Sequence, residues 1–221
     1  MDALMGGVKK KVKSWVIDNM FSYSGGNYQR DRYPEDKFKL ICSQMDLPAV
    51  NNVFDIGCNE GYVAAKFSEL GKFAVGVDVG PYYLNHVLRN VDQLYGASGP
   101  ALGVFPLDRE NVSNIPEFDV ILLLSVHHQW VKKYGDDYAR DLVRALISKS
   151  RKYFVIEFAS TLHKYGYSEP HFVDNDEGSV RAYAESWLES LGVGAEVKYL
   201  GKNRETAGTE PYRFIYMLTT G

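Results

Sequence analysis

Seven residues, Asp55-Ile-Gly57-Cys-Asn59-Glu-Gly61, begin inside and run on from a short apolar stretch, and an acid closes the next such stretch, Val75-Gly-Val-Asp78. Glycines at 57 and 61 let the backbone turn tightly and come close to a ligand, and a helix opening near Tyr62 would aim its amides at the same place. A carboxylate at position 78 can accept both hydroxyl hydrogens of a ribose. The spacing is D-x-G-x-N-x-G rather than the G-x-G-x-x-G of a dinucleotide pyrophosphate loop, so these residues describe a nucleoside pocket of another kind. Further on stands Ser125-Val-His127-His128-Gln129-Trp130. Histidine titrates near neutral pH and suits removal of a proton. Adjacent residues leaving a strand point in different directions, so one imidazole is expected to face a substrate, with His128 favoured. Both could instead fill the loop or touch a cofactor. Glu157, alone in Val155-Ile-Glu157-Phe158, is either a solvated rim carboxylate or a functional one.

These groups need a scaffold that gathers them at one edge. From residue 53 the sequence alternates short apolar runs with helical segments, the rhythm of a parallel sheet covered on both faces. Strands are expected at Val53–Ile56, Phe73–Asp78, Leu102–Pro106, Val120–Ser125 and Tyr153–Phe158. Helices are expected at 35–45, 138–149 and 180–191. Two final strands, Ala195–Leu200 and Arg213–Thr219, read as a hairpin joined by the polar loop GKNRETAGTEP. The fold expected is α/β: a doubly wound, Rossmann-like, seven-stranded sheet, mostly parallel with a C-terminal antiparallel hairpin. Its ligand crevice lies at the carboxyl ends of the strands, where strand order reverses. Residues 1–35 are assigned to an N-terminal helix and connection, and residues 36–221 to the domain.

At 221 residues, 45% hydrophobic and 24% charged, the chain can bury one sizeable core. The net charge of −3 argues against a broad polyanion-binding surface. Positive charge gathers instead at Lys9, Lys10, Lys11 and Lys13, on a helix whose other face carries Val8, Val12, Trp15, Val16 and Met20. Residues 8–20 can cap their own core or lie on an acidic membrane surface. No apolar run approaches the roughly 20 residues of a membrane span. Two cysteines, Cys42 and Cys58, fit a reducing compartment, so the expected location is cytoplasmic, at most peripheral to the inner membrane surface. The pair Asp136-Asp137 and the two histidines lack companions for a metal site, and none is assigned.

The loop at 55–61 with Asp78 resembles the class I S-adenosylmethionine-dependent methyltransferases, whose first motif is a (D/E)-x-G-x-G-x-G loop and whose second is an acid ending the next strand. Asn59 replaces the middle glycine, as in the family's DxGCNxG variants, and requires a backbone conformation open to asparagine. Phe118-Asp-Val-Ile-Leu-Leu-Leu-Ser125 is similar to the fourth motif. The resemblance spans about residues 36–219. It implies S-adenosylmethionine held by Asp55, Gly57, Asn59, Gly61, Asp78, Asp108, Ser125 and Arg32, with Asp108 near the adenine amino group, although a loop acid can equally be structural. Arg30, Arg32 and Tyr33 could reach the cofactor carboxylate or a substrate phosphate. The polar stretch 160–179, with His163, Tyr165, Tyr167 and His171, is placed to form a substrate lid. The stretch LLLSVHHQWVKKYG is similar to the methyltransferase part of bacterial O-antigen chain-terminating enzymes. That implies O-methylation of a small-molecule or glycan acceptor, a sugar hydroxyl or phosphate, with His128, His127 or Glu157 as catalytic groups. An RNA terminal-phosphate methyltransferase and a non-catalytic binding subunit are the alternatives, and charge disfavours the first. Oligomeric state is not legible.

Overall fold

The computed structural model describes residues 33–79, 96, 98–206 and 209–221. The expected amphipathic helix at 8–20, with its membrane contact, and the residues Arg30 and Arg32 lie outside the described residues. Seven strands form one sheet: β1 (Asn52–Ile56), β2 (Phe73–Asp78), β3 (Ala101–Val104), β4 (Phe118–Leu123), β5 (Ser150–Ala159), β6 (Glu196–Thr206) and β7 (Thr209–Thr219). Their spatial order is β3-β2-β1-β4-β5-β7-β6. The first five are parallel to their neighbours, whereas β7 runs antiparallel between β5 and β6. The order reverses between β1 and β4, which opens the expected crevice at the carboxyl ends of these two strands.

Five helices are described: α1 (Tyr33–Cys42), α2 (Tyr62–Glu69), α3 (His127–Tyr134), α4 (Asp136–Ile147) and α5 (Glu177–Glu189). The two-residue period of the strands divides the core into two layers. Ile121, Leu123, Phe154, Ile156 and Phe158 pack with Leu142, Leu146 and Trp187 from α4 and α5. Val53, Val120, Leu122, Val155, Ile215 and Met217 pack with Phe38 and Ile41 of α1 and Phe67 of α2. Asp55, Glu157 and Arg213 share strand parity with the second set. The alternation therefore turns three charged side chains toward α1.

Two expectations are corrected. Residues after Ser125 do not simply leave the strand: they enter α3, which places His127 and His128 in a first helical turn. Gly135, at φ +90°, breaks α3 from α4. The stretch expected as a loop is strand at its described residues, 201–206 and 209–211, where β6 and β7 pair from Glu196 opposite Thr219 to Thr206 opposite Thr209. Cross-strand contacts override its polar composition, with the Lys202 ammonium 4.8 Å from the centre of the Tyr212 ring. No helix among the described residues is long and apolar enough to cross a membrane.

Candidate active site

The turn after β1 is built from alternate left-handed residues: Gly57 at φ +73°, Asn59 at φ +51° and Gly61 at φ +78°. This accounts for the spacing of D-x-G-x-N-x-G, since asparagine is the side chain that best tolerates this region after glycine. The amides of Gly57 and Cys58 both donate to the Val77 carbonyl, at 2.8 and 3.0 Å, pinning the turn to the end of β2. The Asn59 amide donates to Asp78 Oδ2 at 3.0 Å. Turn and acid are thus one hydrogen-bonded unit. A side chain at 57 would strike Val126, its Cβ lying 2.2 Å from Val126 Cγ2, and one at 61 would meet Leu102 at 2.8 Å. The glycines therefore let the β4–α3 turn and β3 close on the loop.

Asp55 lies beneath this turn, 2% exposed. Burial lifts its carboxyl to about 7; Lys37 and the Ala64 amide pull the other way, and Asp78 adds a little to the rise. Asp108 takes a structural position: its Oδ1 accepts from the Glu110 and Asn111 amides, both at 2.9 Å, while its own amide donates to Asn111 Oδ1. That is a self-capped turn, with one carboxylate oxygen committed to it.

Across the crevice, Glu157 is fully buried rather than solvated at a rim. Its Oε2 accepts from Lys37 Nζ at 2.5 Å, and its Oε1 accepts from the Ser125 hydroxyl at 3.0 Å. Arg213 Nε lies 3.3 Å from the same Oε1. Arg213 also donates to the Tyr165 hydroxyl at 2.6 Å. The Tyr165 ring packs on His128, with centroids 4.0 Å apart. Ser125 itself stands at φ +60°. One continuous cluster thus joins Lys37, Ser125, His128, Glu157, Tyr165 and Arg213.

His127 is placed differently. Its ring sits 4.5 Å from both Phe158 and Trp187, on the α4–α5 side of the sheet. Neither of its nitrogens, nor Nδ1 of His128, has a hydrogen-bond partner among the described residues. Burial holds His127 at about 3 and His128 at about 2, the latter lowered further by Arg213. Both imidazoles are neutral in the folded protein near pH 7. Asp136 is engaged by Trp187 Nε1 and Arg140 Nε, each at 2.6 Å. The stretch 160–176 is tied down over the cluster by Ser160 Oγ donating to Asn175 at 2.6 Å and by the Leu162 amide donating to Asp174 at 2.9 Å.

Lys37 and Arg213 are missing from the sequence reading. The signal for Arg213 was present, because a lone charge in Pro-Tyr-Arg213-Phe-Ile-Tyr-Met-Leu marks a buried strand position as plainly as Glu157 does. Lys37 gives no such signal, being one lysine of a helix that shows ordinary surface charges.

No protein-family model matches the sequence. The curated U6 snRNA methylphosphate capping enzyme Amus of Drosophila melanogaster is 27% identical over 139 residues, covering 56% of this chain and 45% of the relative. The match thus spans less than half the length of that protein. Among solved structures, WbdD, described as a bifunctional kinase-methyltransferase, superposes with a TM-score of 0.63 at 20% identity, covering 86% of this chain and 41% of that one. Magnesium protoporphyrin IX methyltransferase (ChlM) from Synechocystis PCC 6803, with bound SAH, gives 0.61 at 15% identity over 98% of this chain and all of that one. The methyltransferase domain of bacterial CtHen1 gives 0.58 at 14% identity, over 86% of this chain and 99% of that one. The seven-stranded sheet, its reversal point and its closing antiparallel hairpin are the fold of the S-adenosylmethionine-dependent methyltransferases.

Proposed function

We propose that this protein is an S-adenosylmethionine-dependent methyltransferase that methylates oxygen on a small polar acceptor, a sugar hydroxyl or a phosphate. The observation that carries the reading is the left-handed alternation at Gly57, Asn59 and Gly61, locked to Asp78 through the Asn59 amide. These residues fit the cofactor. The turn brings backbone close to a ligand, α2 begins at Tyr62, and Asp78 has a second carboxylate oxygen to accept from ribose hydroxyls. When bound, the cofactor supplies a methyl group already activated by sulfonium charge. What remains for the protein is to position the acceptor oxygen, exclude water and manage a proton.

The acceptor side falls to the cluster around Glu157, where His128 stands beside Tyr165 and Arg213. His128 is the candidate proton acceptor. Held at about 2 by burial and neighbouring cations, it is a weak base, matched to an acceptor whose hydroxyl is acidic enough to give up its proton readily. This supports a phosphate oxygen over a sugar hydroxyl. A second reading, methylation of an RNA terminal phosphate, is favoured by the match to the methylphosphate capping enzyme, and it shares the same acceptor chemistry.

Calorimetry with S-adenosylmethionine tests the cofactor: absence of binding at millimolar concentration defeats the proposal. For the acceptor, the protein is incubated with labelled methyl donor and fractionated glycans, RNA and small metabolites. Label in phosphate-bearing fractions supports the preferred chemistry, and label in RNA alone selects the second reading. His128→Ala and His127→Ala, assayed on the labelled fraction across neutral pH, test the histidine; full activity in both removes it from the reaction.

A further inference from the structure

We propose that Glu157 is a positioning residue, not a proton acceptor, and that it acts by holding Ser125 in the left-handed conformation that seats the β4–α3 turn against the cofactor loop. The inference rests on the methyltransferase reading for the loop's ligand, and the geometry of the turn can be tested without it.

Both oxygens of Glu157 are occupied. Oε2 takes Lys37 Nζ at 2.5 Å, and Oε1 takes the Ser125 hydroxyl at 3.0 Å with Arg213 Nε at 3.3 Å. A carboxylate so enclosed and fully buried is poorly placed to receive a substrate proton. What it does hold is geometry. Serine has no intrinsic reason to stand at φ +60°, a region that costs a residue bearing a Cβ about tenfold in population. The hydroxyl bond to Glu157 is the visible compensation. Ser125 is itself exposed, so packing does not impose the conformation. The next residue, Val126, lies so close to Gly57 that only a glycine fits there. The chain of contact therefore runs from Glu157 to Ser125, to Val126, and into the loop at 57–61. Lys37 and Arg213, approaching from α1 and β7, fix where the carboxylate stands.

A substitution pair separates geometry from chemistry. Ser125→Ala loses the hydroxyl and keeps the Cβ, so it loses the anchor and retains the conformational penalty. Ser125→Gly also loses the hydroxyl but takes positive φ freely. Binding of S-adenosylhomocysteine by calorimetry is expected to weaken about five- to tenfold more in Ser125→Ala than in Ser125→Gly, since any contact the hydroxyl makes with the ligand is lost equally in both. Glu157→Leu, which unlike glutamine leaves the Ser125 hydroxyl no acceptor, is expected to weaken binding like Ser125→Ala, and Ser125→Gly added to it is expected to recover part of the loss. The amide-to-Hα coupling of selectively labelled Ser125 is expected to change between the unliganded wild type and Glu157→Leu. Equal weakening in Ser125→Ala and Ser125→Gly, no weakening in Ser125→Ala, or an unchanged coupling in Glu157→Leu overturns the proposal. If Glu157→Leu unfolds because buried Arg213 and half-buried Lys37 lose their counter-charge, the Ser125 pair alone decides. Failure of wild type to bind any adenosyl ligand would defeat the methyltransferase reading, while the coupling measurement would still judge the role of Glu157.

Discussion

Substituting Gly57 by alanine tests whether the cofactor loop is shaped by close packing. Two costs add. At φ +73° a Cβ brings a left-handed penalty of about 1–2 kcal/mol. At 2.2 Å from Val126 Cγ2 it also forces Val126 or the turn to move, and overpacking of this kind costs about 1–3 kcal/mol. Gly57→Ala is therefore expected to lose about 2–5 kcal/mol, which for a domain of this size lowers the melting temperature by roughly 4–20 °C. Urea unfolding gives the free energy directly. Val126→Ala removes the offending methyl and completes a double-mutant cycle. The combined variant should be more stable than the sum of the singles by the clash alone, about 1–3 kcal/mol. A Gly57→Ala protein within about 0.5 kcal/mol of wild type, or a strictly additive cycle, would show that the loop does not rest on Val126 as described.

Asp78→Ala should weaken S-adenosylmethionine binding at least tenfold by calorimetry, since it removes the anchor of the Asn59 amide together with the proposed acceptor for ribose hydroxyls. The histidines give a pH signature. Their folded-state values of about 3 and about 2 lie below the ordinary 6.5, so the unfolded chain binds more protons beneath about 6.5 and stability falls as pH drops from there toward 3. His128→Gln should flatten that acid limb in thermal melts followed from pH 7 to pH 4. Asp55, raised to about 7, works in the opposite sense: its folded form keeps a proton that the unfolded chain releases above about 4, so it lowers stability as pH rises from 4 through 7. Asp55→Asn should gain melting temperature relative to wild type over that window, and an unchanged difference would contradict a buried, proton-retaining carboxyl. Trp187→Phe leaves Asp136 Oδ1 without its indole donor and puts a smaller ring beneath Arg140, and a loss of about 2 kcal/mol is expected in urea unfolding.

The strands of the parallel sheet were legible because burial on both faces writes them as uninterrupted apolar runs, as in Val120-Ile-Leu-Leu-Leu124. The left-handed state of Asn59 was readable too, from glycines two residues away on either side. By contrast α3 was hidden. Its N-cap, Val126, offers no side-chain hydrogen bond, and two of its four buried positions, His127 and His128, carry little hydrophobic signal, leaving only Trp130 and Val131 to mark the face. The outer half of the hairpin was hidden for a different reason: its stability comes from cross-strand pairing, which composition does not record. At the site, Asp55, Asp78 and Glu157 were found as single residues of conspicuous type. The cationic partners of Glu157 were not, because they stand on α1 and β7, and contact across the sheet has no local trace.

The place of β7 has a consequence for how the protein is made. Arg213 reaches Glu157 only when this last strand has slid between β5 and β6, reversing the direction of its neighbours. During synthesis β1 to β5 precede this strand, so Glu157 can already hold Lys37 of α1 while its second cation is still missing. Insertion of a single antiparallel strand then supplies the guanidinium.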